Sequence, residues 1–154
     1  MKYYSTDIND FLFHDAHFNL ISWEDGRLVI SAKNLNVRKS AAPNNDDADM
    51  EISEAIITID GMNVKELEPH RAWMQDDKGE PYTNDPFIVY TSNTARELFE
   101  KELKNNVWIY AFGAYDEIYY IDAGGIIPFF AVRFDFSSIR IEWDSYCNKA
   151  WYET

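Results

Sequence analysis

The sequence VWIYAFGAYDEIYYIDAGGIIPFFAVRFDFSSIRIEWDSY, residues 107–146, decides the fold class. It contains four runs rich in aromatic and β-branched residues, each ended by residues that favour turns. The predicted strands are residues 107–114, 117–123, 126–136 and 138–146, and the predicted links are Tyr115-Asp116, Gly124-Gly125 and a tight corner at Ser137. Because links this short join antiparallel neighbours, the sequence predicts a meander.

The alternation of residues in the last two runs indicates which face is buried. Apolar side chains share one face, namely Phe130, Val132, Phe134 and Phe136 and then Ile139, Ile141 and Trp143. Ser138, Arg140, Glu142 and Asp144 fall on the opposite face, so one side of this sheet should be core. In the run 107–114, Trp108, Tyr110 and Phe112 lie opposite Val107, Ile109 and Ala111, which predicts a central strand or one covered by a helix.

Upstream of this region the chain predicts more strands. Residues 16–23 and 27–37 flank Glu24-Asp25-Gly26, and Asp-Gly between β-prone runs is a strong hairpin signal. Residues 51–60 predict a third strand that ends at Gly61, and residues 86–91 form a short apolar run.

Two helices complete the prediction. A short one is expected within residues 6–15, with Thr6 or Asp7 as its N-cap. The longer one begins at Ser92-Asn93-Thr94, where Thr94 and Glu97 have capping-box spacing, and ends at Asn105-Asn106. Its apolar stripe consists of Leu98, Phe99 and Leu103. The predicted fold class is therefore mainly β (α+β), an antiparallel sheet or meander with a short N-terminal helix and one longer helix packed on it.

Two connections lack periodicity. Residues 39–50 (KSAAPNNDDADM) are rich in turn formers and predict a mobile loop. Residues 62–85 predict a long irregular connection, with a turn of helix near residues 64–67. A connection of this length in a compact domain is typical of a functional surface.

Composition sets the general class. The chain has 154 residues, 46% of them hydrophobic, which predicts a single domain, residues 1–154, with a packed core. Residues 1–15 lack the pattern of a secretory signal, and no apolar run is long enough for a membrane span. The single cysteine, Cys147, predicts a buried, inert thiol. These observations favour a cytoplasmic protein.

Charge indicates the kind of partner. There are 27 acidic and 14 basic residues, and the formal net charge of −13 repels nucleic acids and anionic membranes while attracting basic proteins. The alternative is that the charge serves only solubility. The predicted partner-binding residues are Asp46, Asp47, Asp49, Glu51, Glu54, Asp76, Asp77, Asp116 and Glu117.

No cofactor, metal or catalytic site is predicted. His14, Asp15 and His17 are the one cluster with metal-ligand chemistry, but no further ligand lies at suitable spacing, and hydrogen bonding at a chain corner is the alternative. The many carboxylate pairs are not specific enough to indicate acid–base catalysis, and nucleophile-elbow and phosphate-loop patterns are absent from the sequence. The acidic segment 44–54 departs from the calcium-loop pattern.

The segment FLFHDAHFNLISWEDGRLVISAKNLNV, residues 11–37, resembles the start of several families of small bacterial proteins of unknown or immunity function. They begin with a corner like Phe13-His14-Asp15 and continue into a hairpin. Some are similar to the immunity proteins of contact-dependent inhibition and other polymorphic toxin systems. The resemblance implies a small cytoplasmic protein that neutralises a basic toxin by covering its active site.

Three further hypotheses stay open at this stage. Exposed Tyr and Trp on a β-face would suit a small-molecule or carbohydrate-binding module. An enzyme would have to use His14, Asp15 and His17. The chain would otherwise be a structural domain without a ligand.

Overall fold

The structure is a computed structural model that describes residues 1–153. It contains sixteen strands and one α-helix, all strand pairs being antiparallel, so the mainly β fold class is confirmed. The strands are β1 (Tyr3–Ser5), β2 (Phe11–Leu12), β3 (His17–Glu24), β4 (Arg27–Lys33), β5 (Asn36–Val37), β6 (Met50–Ile52), β7 (Ala55–Asp60), β8 (Asn63–Pro69), β9 (Met74–Gln75), β10 (Pro81–Tyr82), β11 (Tyr90–Thr91), β12 (Val107–Tyr115), β13 (Ile118–Gly124), β14 (Phe130–Asp135), β15 (Ser138–Trp143) and β16 (Tyr146–Lys149). The helix α1 is Ser92–Leu103, and a single 3-10 turn, Ile8–Asp10, is the predicted N-terminal helix.

Ten strands form one sheet in the order β1-β15-β7-β4-β3-β12-β13-β14-β8-β11. Four short strands form a second sheet, β16-β6-β5-β2, and β9 and β10 form a separate hairpin. The predicted hairpin at Asp25-Gly26 is confirmed as β3 and β4, and both turn residues have positive φ. The predicted strand 51–60 is divided at Ser53-Glu54 into β6 and β7, which belong to different sheets.

The ten-stranded sheet folds back on itself. Strands β14 and β15 are joined by only Phe136 and Ser137, yet they pair with different neighbours, and β7 and β8 are likewise separated only by Gly61-Met62. Both links lie at one corner, where Ser137 N–H donates to Asp60 O at 2.8 Å. The predicted meander is therefore right for β12, β13 and β14 but wrong at Ser137, because the chain there passes from one layer of the folded sheet to the other.

The core lies between the two layers, and α1 closes one side of it. Phe99 of α1 is fully buried and makes edge contacts with the rings of Trp23 and Phe130, with centroid distances of 6.1 and 6.4 Å. The predicted capping box is wrong. The helix already begins at Ser92, Thr91 is the N-cap without a side-chain bond, and Thr94 lies within the helix.

Three further predictions need correction. Residues 64–67 belong to strand β8 and not to a helical turn, because Val64 and Leu67 fill the core while β8 pairs with β14. The strand predicted from residue 126 begins at Phe130. Cys147 is exposed on β16, an edge strand of the small sheet, rather than buried. Partial burial of its sulfur and the charge of Glu51 still raise the pKa of the thiol.

Among the described residues 1–153, neither α1 nor the 3-10 turn is long and apolar enough to cross a lipid bilayer.

Candidate functional site

Five rings form a continuous row on the outer face of the sheet, which we call the aromatic ladder: His17, Trp108, Tyr110, Phe129 and His70. Successive centroids are 5.0, 6.4, 5.1 and 6.4 Å apart. The three central rings are stacked, with interplanar angles of 14° and 20°. Trp108 is 44% exposed and Phe129 is 53% exposed, so the ladder is a surface feature.

A β-bulge in β12 separates the ladder from the core. The pairing of β12 with β13 shifts between Ile109 and Ala111, which leaves Tyr110 as the extra residue. Trp108 and Tyr110 therefore lie outside, whereas Phe112 turns inward and packs against Phe13 at 4.9 Å. The predicted shared face of Trp108, Tyr110 and Phe112 is wrong because uninterrupted alternation does not allow for a bulge.

The loop 125–129, which presents Phe129, is fixed from below by a buried carboxylate. Glu102 of α1 is 2% exposed and accepts hydrogen bonds from the N–H groups of Ile126 at 2.8 Å and Ile127 at 2.9 Å. A side chain at Gly125 would collide with the same carboxylate. The helix thus holds the loop in place through polar contacts as well as apolar packing.

Residues 70–89 form a protruding segment next to the ladder, which we call the arm. Its only strands, β9 and β10, pair with each other, and its apolar side chains lie on the surface. The exposed large apolar residues of the arm are Trp73, Met74, Tyr82, Phe87 and Ile88. The predicted irregular connection 62–85 begins instead with strand β8, and only its part after Pro69 is irregular, apart from β9 and β10.

The base of the arm is nevertheless ordered by specific contacts. The Arg71 guanidinium lies 5.0 Å from the centroid of Trp73 and 4.9 Å from that of Phe87, so it is held between two aromatic rings. Asp85 Oδ2 accepts a hydrogen bond from Ala72 N–H at 2.7 Å. His70 N–H donates to Phe129 O at 2.9 Å and connects the arm to the ladder.

A cleft of about 610 Å³ is lined in part by His70, the ring at the end of the ladder. Its lining residues come from the start of the arm, from the end of β12 with the turn that follows it, and from β13 and β14: His70, Tyr115, Asp116, Ile118, Tyr120, Asp122, Ala131 and Arg133. Arg133 is already paired, since its Nη1 lies 2.8 Å from Glu66 and 3.4 Å from Glu68. Among the described residues 1–153, no basic side chain forms an ion pair with Asp116 or Asp122, and these two carboxylates give the cleft a negative character.

The structure places the nine predicted partner-binding residues in three regions. Asp46, Asp47, Asp49, Glu51 and Glu54 lie on or beside the loop 39–49, Asp76 and Asp77 lie in the arm, and Asp116 and Glu117 form the turn next to the cleft. Asp46 and Asp47 are exposed, and Glu54 accepts a hydrogen bond from Ser31 Oγ at 2.8 Å. Asp76 accepts from Lys78 N–H and Glu80 N–H and so shapes the tip of the arm.

Asp49 is largely buried and bonds within the chain. Its oxygens accept hydrogen bonds from Lys39 N–H at 2.7 Å and from the Tyr152 hydroxyl at 2.6 Å. Burial alone raises the pKa of this carboxyl, but the two hydrogen bonds and the charges of Arg38 and Lys39 hold the pKa below its usual value. Asp49 thus ties the C-terminal segment to the loop 39–49, which is also stabilised by the Asn44 side chain.

His14, Asp15 and His17 support the ladder in different ways. Asp15 Oδ1 accepts a hydrogen bond from Trp108 Nε1 at 3.1 Å, His14 Nδ1 lies 3.2 Å from Tyr110 O, and the ring of His17 is the first ring of the ladder. Within residues 1–153, no group of three or more His, Cys, Asp or Glu side chains has the geometry of a metal site.

Residues 107–114 were predicted as a central strand or one covered by a helix, and none of the ladder rings Trp108, Tyr110, Phe129 and His70, nor Arg71, was predicted as a binding residue. The available signal was the two-sided apolar character of residues 107–114, which indicated that the strand needs cover on both faces. The rings that complete the ladder come from the loop 125–129 and from the first residue of the arm, and tertiary structure alone brings them together.

Similarity to known proteins does not extend the description of this surface. No family model matches the chain, and neither a curated protein nor a solved structure does. A functional interpretation therefore depends on the ladder, the arm and the cleft themselves.

Proposed function

We propose that this chain is a non-catalytic binding protein that captures a basic protein partner through the aromatic ladder and the arm. The observation that carries the proposal is the row of rings from Trp108 to Phe129, which His70 connects to the arm. The arm adds the exposed rings of Trp73 and Phe87 on either side of Arg71. Contiguous apolar patches on soluble proteins mark interaction sites, and aromatic residues are enriched in protein–protein interfaces.

The ladder has the properties of an interface centre. Glu102 holds the loop that carries Phe129, and Asp15 accepts a hydrogen bond from Trp108, so little conformational entropy is lost when a partner covers these rings. Rigid aromatic residues at the centre of an interface contribute most of the binding free energy. Trp108 and Phe129 are therefore the proposed anchors.

Charge supports the choice of a basic partner. The net charge is −13, and the ladder is bordered by carboxylates from three elements: Asp15 before β3, Asp122 on β13 and Asp85 in the arm. Such a field accelerates encounter with a positive surface and repels nucleic acid. Association should accordingly become slower as salt is added.

The biological role that we propose is immunity: the chain would bind a basic toxin domain and block it by protein–protein contact. This step rests on the resemblance of residues 11–37 to small bacterial immunity proteins. The corner Phe13-His14-Asp15 in that segment supports the ladder from below, because Asp15 and His14 contact Trp108 and Tyr110.

Capture experiments with ladder variants test the proposal. Tagged chain would be used to isolate partners from a lysate of the source organism at low and high salt, with Trp108→Ala and Phe129→Ala beside the unchanged protein. Each substitution should reduce recovery of a basic partner by at least about tenfold, as truncation of an interface anchor does.

Trp151→Ala is the matched control, because Trp151 is 71% exposed and lies near the C-terminus outside the ladder. This control should capture the partner normally. Equal capture by all variants would contradict the proposed contact surface, and loss of capture by Trp151→Ala alone would place the contact near the C-terminal segment.

A carbohydrate-binding module is the second candidate, since Trp108 and Phe129 are exposed on a β-face. The central rings are stacked on one another, whereas a sugar packs on an open ring face. This geometry favours a protein partner. Screening of the purified chain against a glycan panel distinguishes the candidates, because binding that depends on Trp108 would support the module.

A further inference from the structure

We infer that the cleft beside His70 binds a lysine or arginine side chain carried by the basic partner. The inference rests on the proposed function and specifies how a basic segment is recognised. The cleft volume of about 610 Å³ is typical of ligand-binding pockets. It exceeds the volume of one side chain, so the residues next to that lysine or arginine in the partner can enter the cleft too.

The charges in the cleft favour a cation. Asp116 and Asp122 contribute two carboxylates, and the one guanidinium, Arg133, is neutralised by Glu66 and Glu68. Asp116 has a φ of 49° in the tight turn between β12 and β13, which fixes the backbone that carries its carboxylate. Asp116 lies in the turn and Asp122 lies roughly 13 Å along β13 from Ile118, so the basic side chains of a short segment would meet uncompensated negative charge at both ends of the cleft.

The walls of the cleft suit the aliphatic part of a long basic side chain. Ile118 and Ala131 are apolar, and the rings of Tyr115 and Tyr120 flank the carboxylates. Lysine and arginine bury their methylene groups against apolar surface while the charge remains near acidic groups, and aromatic rings add cation–π attraction. An acidic or purely apolar side chain would gain from only one of these features.

The position of the cleft agrees with this role. His70 lines the cleft and is also the last ring of the ladder, and it borders a second cavity formed with Ile127 and Phe129. A partner that covers the ladder therefore has its basic segment next to the cleft. Ladder and cleft would then supply apolar anchoring and charge recognition in one surface.

Titration with acetylated, amidated hexalysine at low ionic strength tests the inference without the natural partner. Backbone amide chemical shifts would be followed by NMR for the unchanged protein and for the double variant Asp116→Asn/Asp122→Asn. Asparagine tolerates the positive φ at position 116, so the turn should be preserved. The largest shifts should occur at Ile118, Tyr120 and Ala131, and the double variant should weaken hexalysine binding by about fivefold or more.

The double variant Asp46→Asn/Asp47→Asn is the matched control. It also removes two negative charges, but from an exposed part of the loop 39–49, and it should change the affinity for hexalysine less than about twofold. Equal weakening by both double variants, or shifts centred on the loop 39–49, would overturn the inference.

This result is separable from the proposed function. If hexalysine avoids the cleft while Trp108→Ala still abolishes partner capture, the cleft inference fails and the ladder proposal stands. If hexalysine binds the cleft but ladder variants capture the partner normally, the cleft recognises cations and the ladder proposal fails.

Discussion

The Oε2 atom of Glu102 accepts a hydrogen bond from Ile126 N–H at 2.8 Å, and this contact connects the helix to the loop that carries Phe129. Glu102 is 2% exposed and also accepts from Ile127 N–H. A buried carboxylate that accepts two backbone hydrogen bonds stabilises a loop that has no regular structure.

Replacing Glu102 by glutamine keeps the size of the side chain but turns one acceptor into a donor. One buried N–H then loses its partner, and the free energy of unfolding should fall by about 2 kcal/mol. Urea denaturation measures the change. Glu97→Gln, on an exposed part of the same helix, is the control and should have little effect. Equal stability of both variants would mean that the loop does not need Glu102.

A second prediction concerns the corner where the sheet folds back. Gly61 has a φ of +67°, and an added methyl group would collide with Ser137. Gly61→Ala should cost about 3 kcal/mol, combining backbone strain with overpacking. Gly79→Ala has the same strain at φ +79° but open space around it, and it should cost about 1 kcal/mol. Thermal unfolding of the two variants compares them, and similar losses would contradict the close approach of Gly61 and Ser137.

A third prediction concerns pH and the Asp49–Tyr152 hydrogen bond. The folded-state pKa of Asp49 is lowered, so its contribution to stability is present above the unfolded pKa of about 3.9 and is lost as pH falls through the folded pKa. Burial, the hydrogen bond to Asp49 and the charge of Asp49 raise the pKa of Tyr152. The contribution of the Tyr152 hydroxyl to stability is therefore lost only in strong alkali.

Tyr152→Phe removes this hydrogen bond and should lower the free energy of unfolding by about 1 kcal/mol at neutral pH. The difference from the unchanged protein should shrink in acid, as Asp49 becomes protonated. Unfolding curves at several pH values measure this, with Asp47→Asn as the control for general charge effects. A difference that is constant from neutral to acid pH would show that Asp49 is not the partner that matters.

A fourth prediction separates the arm from the core. Asp85→Ala removes the acceptor of Ala72 N–H at the base of the arm and should make trypsin cleave faster after the exposed Lys78. The free energy of unfolding should hardly change, because the arm contributes no residue to the buried core. Asp77→Ala, at the tip of the arm, serves as the control. A large loss of global stability in Asp85→Ala would mean that the arm is part of the folding unit.

Sequence periodicity predicted local structure well and long-range structure poorly. The alternation of Phe130, Val132 and Phe134 identified the buried face of β14, since the side chains of a strand alternate regardless of its neighbours. The sequence of β8, NVKELEP, has residues that favour a helix, and it becomes a strand because Glu66 and Glu68 face Arg133 on β14 while Leu67 fills the core. The tight corner at Ser137 was predicted, but no local signal indicates that the chain passes there from one layer of the sheet to the other.

The candidate site was predictable in part. Acidic character and Asp116 followed from composition and turn chemistry, whereas the two-sided strand 107–114 predicted a central or covered strand and not a binding surface. The role of Phe129 could not be predicted, because its position depends on the bonds from Glu102 to the loop 125–129. The inward turn of Phe112 depends on a bulge that is defined only by pairing with β13.

Hydrogen–deuterium exchange of the chain alone and in complex with its captured partner tests the central claim most directly. Binding should slow exchange in three segments that form the ladder and the arm, namely residues 107–112, 124–129 and 70–89. Exchange in the acidic loop 39–49 and in residues 146–153 should stay unchanged. Protection confined to the loop 39–49, with residues 124–129 and 70–89 exchanging as in the free chain, would contradict the proposed contact surface.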